Sequence, residues 1–383
     1  MIIAEASRLG ETKTYYFAQK LAEIRKLNAD GQDIINLGIG SPDMHPDRDV
    51  ILALKTAAED TTNHGYQAYR GILELREAFS LWYTKNFNVD LNPENEILPL
   101  IGSKEGIMHI SMAFLNPGDQ VLIPDPGYPA YAAISAICSA EVIPYKLREE
   151  NNWLPDIEQM KKMDFSKVKI LWINYPHMPT GAPGNLKTLK QLVDLARKHR
   201  FLICHDNPYS FILNKNPLSI FQADPAKEVS LELSSLSKNY AMAGWRIGVL
   251  SGAPAYIDTV LKFKSNMDSG MFKPMQLAAI KALSLGSEWF TNMNRTYEDR
   301  RLLVYNLLDL LGATYQKNTS GLFVWAKVPE GFRNGIECAD HYLYNHRVFI
   351  TPGSIFGSQG EQYIRVSLCQ KKEIIQQAIE RCK

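Results

Sequence analysis

"VKILWINYPHMPTGAPGNLKTLKQLVDLARKHRFLICHD", residues 168–206, holds one full period of the chain's architecture. It opens on an apolar run, turns through Pro and Gly, proceeds at helical spacing and closes on a second apolar run. Within it Leu186, Leu189, Leu192, Val193 and Ala196 fall on one face of a helix. The flanking runs are short, rich in β-branched and aromatic residues, and read as strands. Working outward, "QVLIP" (120–124) and "EVIPYKL" (141–147) lie upstream, and "VSLELSS" (229–235) and "WRIGVLSG" (245–252) lie downstream. Strand and helix alternate from about residue 95 to about residue 286, which predicts an α/β fold: a buried, mainly parallel sheet covered by helices on both faces.

Beyond Gly286 the rhythm changes. A long amphipathic segment stops at Gly312, and "GLFVWAKV", a helix near 336–347, "VFITPGS", "EQYIRVSL" and a closing helix from Lys371 follow. This is the pattern of a smaller α+β domain. The expected division is 1–48 as an amino-terminal arm and part of the small domain, 49–285 as the large domain and 286–383 as the small one. No repeat or low-complexity linker separates the parts, so they are expected to share an interface.

The chain has 383 residues, 45% hydrophobic and 22% charged, with a formal net charge of +1. That balance gives no basic face for nucleic acid or a membrane surface. The five cysteines stand singly, without metal-type spacing, as expected of free thiols in a reducing cytoplasm. The first twenty residues are too polar for a signal peptide, and no apolar run reaches membrane-spanning length. A soluble cytoplasmic protein is expected.

In open α/β sheets ligands sit beyond the carboxyl ends of the strands, so the residues after each apolar run carry the functional information. "GSKEG" (102–106) places small residues at a helix start, where free N–H groups can hold a phosphate. "DPGYPAY" (125–131) puts Tyr128 in a tight turn, and Asp206 ends a strand that should be buried, where a carboxylate needs a cation or several hydrogen bonds. After "VSLELSS" stands Lys238, placed to lose its proton and act as an amine nucleophile. Taken singly these have plainer readings: a helix cap, a surface tyrosine, a solvated lysine. Together a phosphate cradle, an aromatic face, a carboxylate and an amine match the needs of pyridoxal 5'-phosphate.

The stretches "SSLSKNYAMAGWRIG", "DNPYSF", "NYPHMPTG", "GYQAYRGILELREA", "INLGIGSPD" and "YIRVSL" resemble the class I/II aminotransferases of pyridoxal-phosphate fold type I over nearly the whole chain. The resemblance implies that Lys238 joins the cofactor aldehyde as an imine and later serves as general base, and that Arg246, helped by Ser235, clamps the phosphate with Ser103 and Lys104. It further implies that Tyr128 stacks on the pyridine ring, Asp206 pairs with the ring nitrogen and Tyr209 hydrogen-bonds the phenolic oxygen. Arg365 would fork the substrate α-carboxylate with the backbone near Gly40 opposite. Tyr66 would cross from a neighbouring subunit to the phosphate, which implies a homodimer. The expected reaction moves an amino group between an L-amino acid and a 2-oxo acid.

One departure stands out. The family usually has asparagine before "PTG", donating to the phenolic oxygen; here that residue is Met178, which has no donor, with His177 beside it as a candidate replacement. Two other outcomes share the cofactor motifs: a C–S β-lyase, and a non-catalytic binding or regulatory protein that keeps the fold. Regulators of that kind normally carry an added DNA-binding domain, and none is expected in the short stretch before Ile35. A dinucleotide enzyme would need G-x-G-x-x-G, and "GIGSPD" has the wrong length. For substrate, "LKFKSNMDSGMFKPM" holds lysines where dicarboxylate-specific enzymes place an arginine, which disfavours aspartate as donor. "ASRLG", "YYFAQ" and "GSKEG" are similar to a bacterial subgroup that includes LL-diaminopimelate, alanine and methionine aminotransferases, and Tyr15, Tyr16 and Phe17 are candidates to line the substrate pocket.

Overall fold

The computed structural model describes residues 3–9 and 16–383. Its strands are β1 (Ile35–Asn36), β2 (Ile97–Leu100), β3 (Gln120–Asp125), β4 (Glu141–Lys146), β5 (Val168–Ile173), β6 (Leu202–Asp206), β7 (Ser230–Ser235), β8 (Gly248–Gly252), β9 (Thr314–Tyr315), β10 (Phe323–Lys327), β11 (Val348–Phe349), β12 (Thr351–Pro352) and β13 (Tyr363–Ser367). A seven-stranded sheet runs in the order β2-β8-β7-β6-β5-β3-β4. All its strands are parallel except β8, which lies antiparallel to both neighbours.

Both faces of this sheet are buried, and the period of two along each strand sorts side chains between them. Ile170, Trp172, Leu202 and Cys204 pack on one side with Ile107, Ile110 and Ile257 of covering helices. Leu171, Ile173 and Ile203 pack on the other with Leu189, Leu192 and Val193. Those last three belong to the helix Leu186–His199, whose start is capped by Asn185 accepting from the Thr188 N–H. The apolar face read from the sequence is thus the face that covers the sheet.

A four-stranded antiparallel sheet, β12-β13-β10-β9, forms the smaller domain, and β1 pairs in parallel with β11, joining the early chain to the late. The long helix Ser287–Leu311 ends at Gly312, which takes the left-handed conformation at φ +75°. From this helix Arg300 forks Asp43 at 2.6 and 2.9 Å and so fixes the "GIGSPD" loop. Asp125, at the end of β3, accepts from Ser358 Oγ at 2.6 Å and Gln359 N at 3.0 Å, tying the large sheet to the loop that carries Phe356.

One expected strand is shorter than read. "WRIGVLSG" pairs only from Gly248, because residues 243–245 make a 3₁₀ turn and Arg246 adopts φ +57°. Backbone in that conformation cannot continue a ladder.

Candidate active site

The carboxyl ends of β2, β3, β5, β6 and β7 and the start of β8 meet at one edge of the large sheet, where a cavity of about 550 Å³ opens toward the smaller domain. Of the expected site residues, Gly40, Ser103, Lys104, Tyr128, Asp206, Tyr209, Ser235, Lys238, Arg246 and Arg365 all line it. Tyr66 does not: it is 93% exposed in the single chain. Tyr15 lies outside the described residues, but Phe17, two positions on, is buried and lines the cavity.

Lys238 follows β7 in the short helix Leu236–Asn239, which is capped by Ser235 Oγ accepting from the Ser237 N–H. Its Nζ donates to the Gly40 carbonyl at 2.8 Å. Burial lowers its proton affinity first; the Cys369 thiol works the other way, and Arg246 and Arg365 add to the lowering. The two glycines of the "GIG" loop are required by contact, since a Cβ on Gly40 would lie 2.1 Å from the Phe323 ring and one on Gly38 would lie 2.3 Å from Phe349.

Asp206 is 5% exposed. Its Oδ2 accepts from the Tyr131 hydroxyl at 2.8 Å, while its Oδ1 is buried without a hydrogen-bond partner. Desolvation raises the carboxyl from 3.8 to about 6, partly opposed by the Tyr131 hydrogen bond and by His205. An acceptor oxygen buried at a cavity wall with no donor is one that a ligand's N–H would satisfy. Tyr131, stacked on Trp172 at 4.9 Å, was not singled out from the sequence, although it lies one helical turn after Tyr128 in the same quoted stretch.

At the opposite end stand the helix start at Ser103, Lys104 and Arg246. Gly102, at φ +86°, leaves the space its Cβ would fill to the guanidinium, whose Nη2 would be 2.1 Å from such an atom. Arg246 Nη1 donates to the Ala243 carbonyl at 3.0 Å and reaches Ser237 Oγ at 3.4 Å. Ser237 therefore joins the serine expected there; Ser235 lines the cavity but donates its hydroxyl proton to the Ile247 carbonyl at 3.3 Å. Burial, then Arg246, lowers the proton affinity of Lys104. Two cations and the free N–H groups of a twelve-residue helix make this end an anion cup.

Arg365, from β13, is 4% exposed and sits in an aromatic enclosure: its Cζ is 3.8 Å from the Phe323 ring centre, 4.6 Å from Phe356 and 5.5 Å from Phe17. Its Nη2 donates to the Gly38 carbonyl at 2.8 Å. Its Nη1 lies 3.3 Å from Met178 Sδ, so the methionine sulfur touches this guanidinium at the cavity wall. His177 is no replacement donor. It is buried, bonded through Nδ1 to Thr180 Oγ1 at 2.8 Å, absent from the cavity wall, and pushed down to about 3 by desolvation, so its ring is neutral.

Residues 32–381 match the family model "Aminotransferase class I and II". The chain is 42% identical over 376 residues to an LL-diaminopimelate aminotransferase of Dehalococcoides mccartyi, covering 98% of this chain and 97% of that one. It is 40% identical to an LL-diaminopimelate aminotransferase of Aquifex aeolicus, covering 99% and 98%. The solved structure of substrate-bound BacF from Bacillus subtilis superposes with a TM-score of 0.94 at 33% identity, covering 99% and 97%. With a buried lysine, an unsatisfied carboxylate and an anion cup around one cavity, and with that match over nearly its full length, the chain belongs to the class I and II aminotransferases, pyridoxal 5'-phosphate-dependent enzymes that transfer an amino group between an L-amino acid and a 2-oxo acid.

Proposed function

We propose that the cavity holds pyridoxal 5'-phosphate with its phosphate in the cup of Ser103, Lys104, Ser235, Ser237 and Arg246, its ring under Tyr128, its ring nitrogen on Asp206 Oδ1 and its phenolic oxygen toward Tyr209. The observation that carries this reading is the pairing of opposites across one cavity: an acceptor oxygen without a donor at Asp206, and a cluster of donors and cations around Gly102. The bound cofactor supplies an aldehyde carbon and an electron-accepting ring.

The chain's own residues do the rest. Arg365 binds the substrate α-carboxylate, and the three rings around it exclude water, which strengthens the charge pair. Lys238, its proton affinity lowered by burial, would take the Cα proton as general base and return it to the carbon that the cofactor supplies on the far side of the amino nitrogen. Asp206 stays ionised against the ring nitrogen.

For the donor we propose an L-amino acid larger than alanine, with LL-diaminopimelate the first to test. Several relatives at about 40% identity carry that name, the cavity is large, and no arginine stands in the 261–275 stretch. A homodimer fits the surface, and the free cysteines suit the cytoplasm. The adjoining segments 66–71 and 264–272, linked by Lys264 Nζ to the Tyr69 carbonyl at 2.9 Å, leave Tyr66, Tyr69, Met267 and Phe272 exposed together. No described helix is long and apolar enough to cross a membrane. Mixing holoenzyme with a panel of amino acids and following the cofactor's absorption tests the reading: LL-diaminopimelate should convert it without releasing ammonia, and release of pyruvate and ammonia with no oxo acid present would contradict it.

A further inference from the structure

One residue back from Asp206, on the opposite face of β6, a second pair of ionisable groups lies wholly inside the protein. His205 and Glu232 are register partners on β6 and β7, and both are 0% exposed. His205 Nδ1 is 2.8 Å from Glu232 Oε2, and its Nε2 is 3.0 Å from the Tyr175 carbonyl oxygen. The same Oε2 accepts the Ile220 N–H at 2.8 Å.

These contacts place two protons on or beside the ring. A carbonyl only accepts, so Nε2 carries a hydrogen. Were Nδ1 bare, its lone pair would face a carboxylate lone pair at hydrogen-bond distance, so a second proton lies between them. The Ile220 N–H donating to the same Oε2 favours a negative oxygen there, and with it a positive ring, over a neutral acid facing a neutral imidazole. A buried ion pair persists when it is hydrogen-bonded; here the bonds converge on Oε2, while Oε1 is buried without a hydrogen-bond partner.

The pair also bridges three strands that carry the site. β6 ends in Asp206, β7 leads to Ser235 and Lys238, and Tyr175 opens the turn that brings Met178 to the cavity. Asn174 Nδ2 adds a bond to the Asp206 carbonyl at 2.5 Å.

We propose that His205 is a positioning residue of this active site: protonated on both ring nitrogens, it locks the ends of β5, β6 and β7 together and sets a fixed positive charge behind Asp206, which keeps that carboxylate ionised toward the cofactor ring. The inference rests on the reading of Asp206 as the partner of the ring nitrogen. Among the described residues, the ionisable groups near the pair include Tyr83 from the helix Leu73–Phe87, whose hydroxyl lies beside the Glu232 carboxylate and 3.2 Å from Ser234 Oγ, and Asp206, the next residue on β6, whose side chain is on the other face. Burial and then the Glu232 charge hold the Tyr83 proton in place, so it stays neutral. The His205 charge also opposes the desolvation that raises Asp206.

Nitrogen NMR of histidine-labelled, cofactor-free protein tests the charge directly. Both ring nitrogens of His205, assigned through backbone correlations, should read as protonated in the folded protein at neutral pH. A ring carrying one proton overturns the proposal. The holoenzyme tests the role: His205→Gln should lower kcat about ten- to a hundredfold with KM changed less than about twofold, and should move the pH midpoint of the cofactor's absorption upward. Wild-type kcat and midpoint in that variant would overturn it. The NMR arm uses wild-type protein, so it decides the question even where the variant does not fold. It also needs no cofactor, which separates its failure from a failure of the cofactor to bind.

Discussion

Asp206 shows how a single side chain trades stability for chemistry. Burial raises its carboxyl from 3.8 to about 6, so between those values the folded cofactor-free chain holds a proton that the unfolded chain has released. Stability therefore falls as pH rises through that window, by about 3 kcal/mol when complete. Asp206→Asn should then melt higher than wild type at pH 8 without cofactor, with the difference closing toward pH 4, while turnover is lost. Thermal melts across pH check this, and a difference independent of pH would contradict it. Met178 offers a second test. It cannot donate to the phenolic oxygen, and among the described residues His177 does not reach the cavity, so on the proposed cofactor placement neither supplies a bond worth about 1.5–3 kcal/mol. Met178→Asn should lower the pH midpoint of the bound cofactor's absorption, and an unchanged titration would dispose of the idea. Both residues were legible in the sequence because each breaks a local pattern: a carboxylate at a buried strand end, a thioether where a donor is usual. Tyr131 and Ser237 were not, because their importance comes from a neighbour brought close only by folding.

At the scale of elements, the site is a set of strand ends. The apolar runs and helical periods of the sequence anticipate β3 to β7 closely, since strands buried on both faces advertise themselves as continuous hydrophobic segments. The misread piece is the start of β8, where a strand-like composition at Trp245 is overridden by the turn that aims Arg246 at Gly102. That turn makes a sharp prediction. Gly102→Ala places a Cβ 2.1 Å from the guanidinium and holds a non-glycine residue at φ +86°. Strain of about 1–3 kcal/mol should appear in denaturant melts. Displacement of the guanidinium should weaken cofactor binding roughly ten- to a hundredfold. Equilibrium dialysis against pyridoxal 5'-phosphate measures the second effect, and wild-type affinity would show that Arg246 does not hold the phosphate.

The whole molecule places chemistry between two bodies. The large sheet presents the lysine, the carboxylate and the anion cup; the smaller domain contributes Arg365 and the rings of Phe323 and Phe356. The Asp43–Arg300 fork and the bonds of Asp125 to residues 358 and 359 hold the two in register. The presence of a smaller domain was legible in the change of rhythm after Gly286, but its aromatic enclosure was not, because phenylalanines from three distant segments converge only in space. The proposed dimer belongs to this scale too: Tyr66→Phe should weaken cofactor binding if the hydroxyl crosses to a partner's phosphate, and sedimentation as a monomer would contradict the arrangement. The central claim is that Lys238 is the residue that bonds to pyridoxal 5'-phosphate. Borohydride reduction of the holoenzyme followed by peptide mass spectrometry tests it most directly: the account predicts a phosphopyridoxyl label on Lys238 alone, and a label on another lysine, or none, would contradict it.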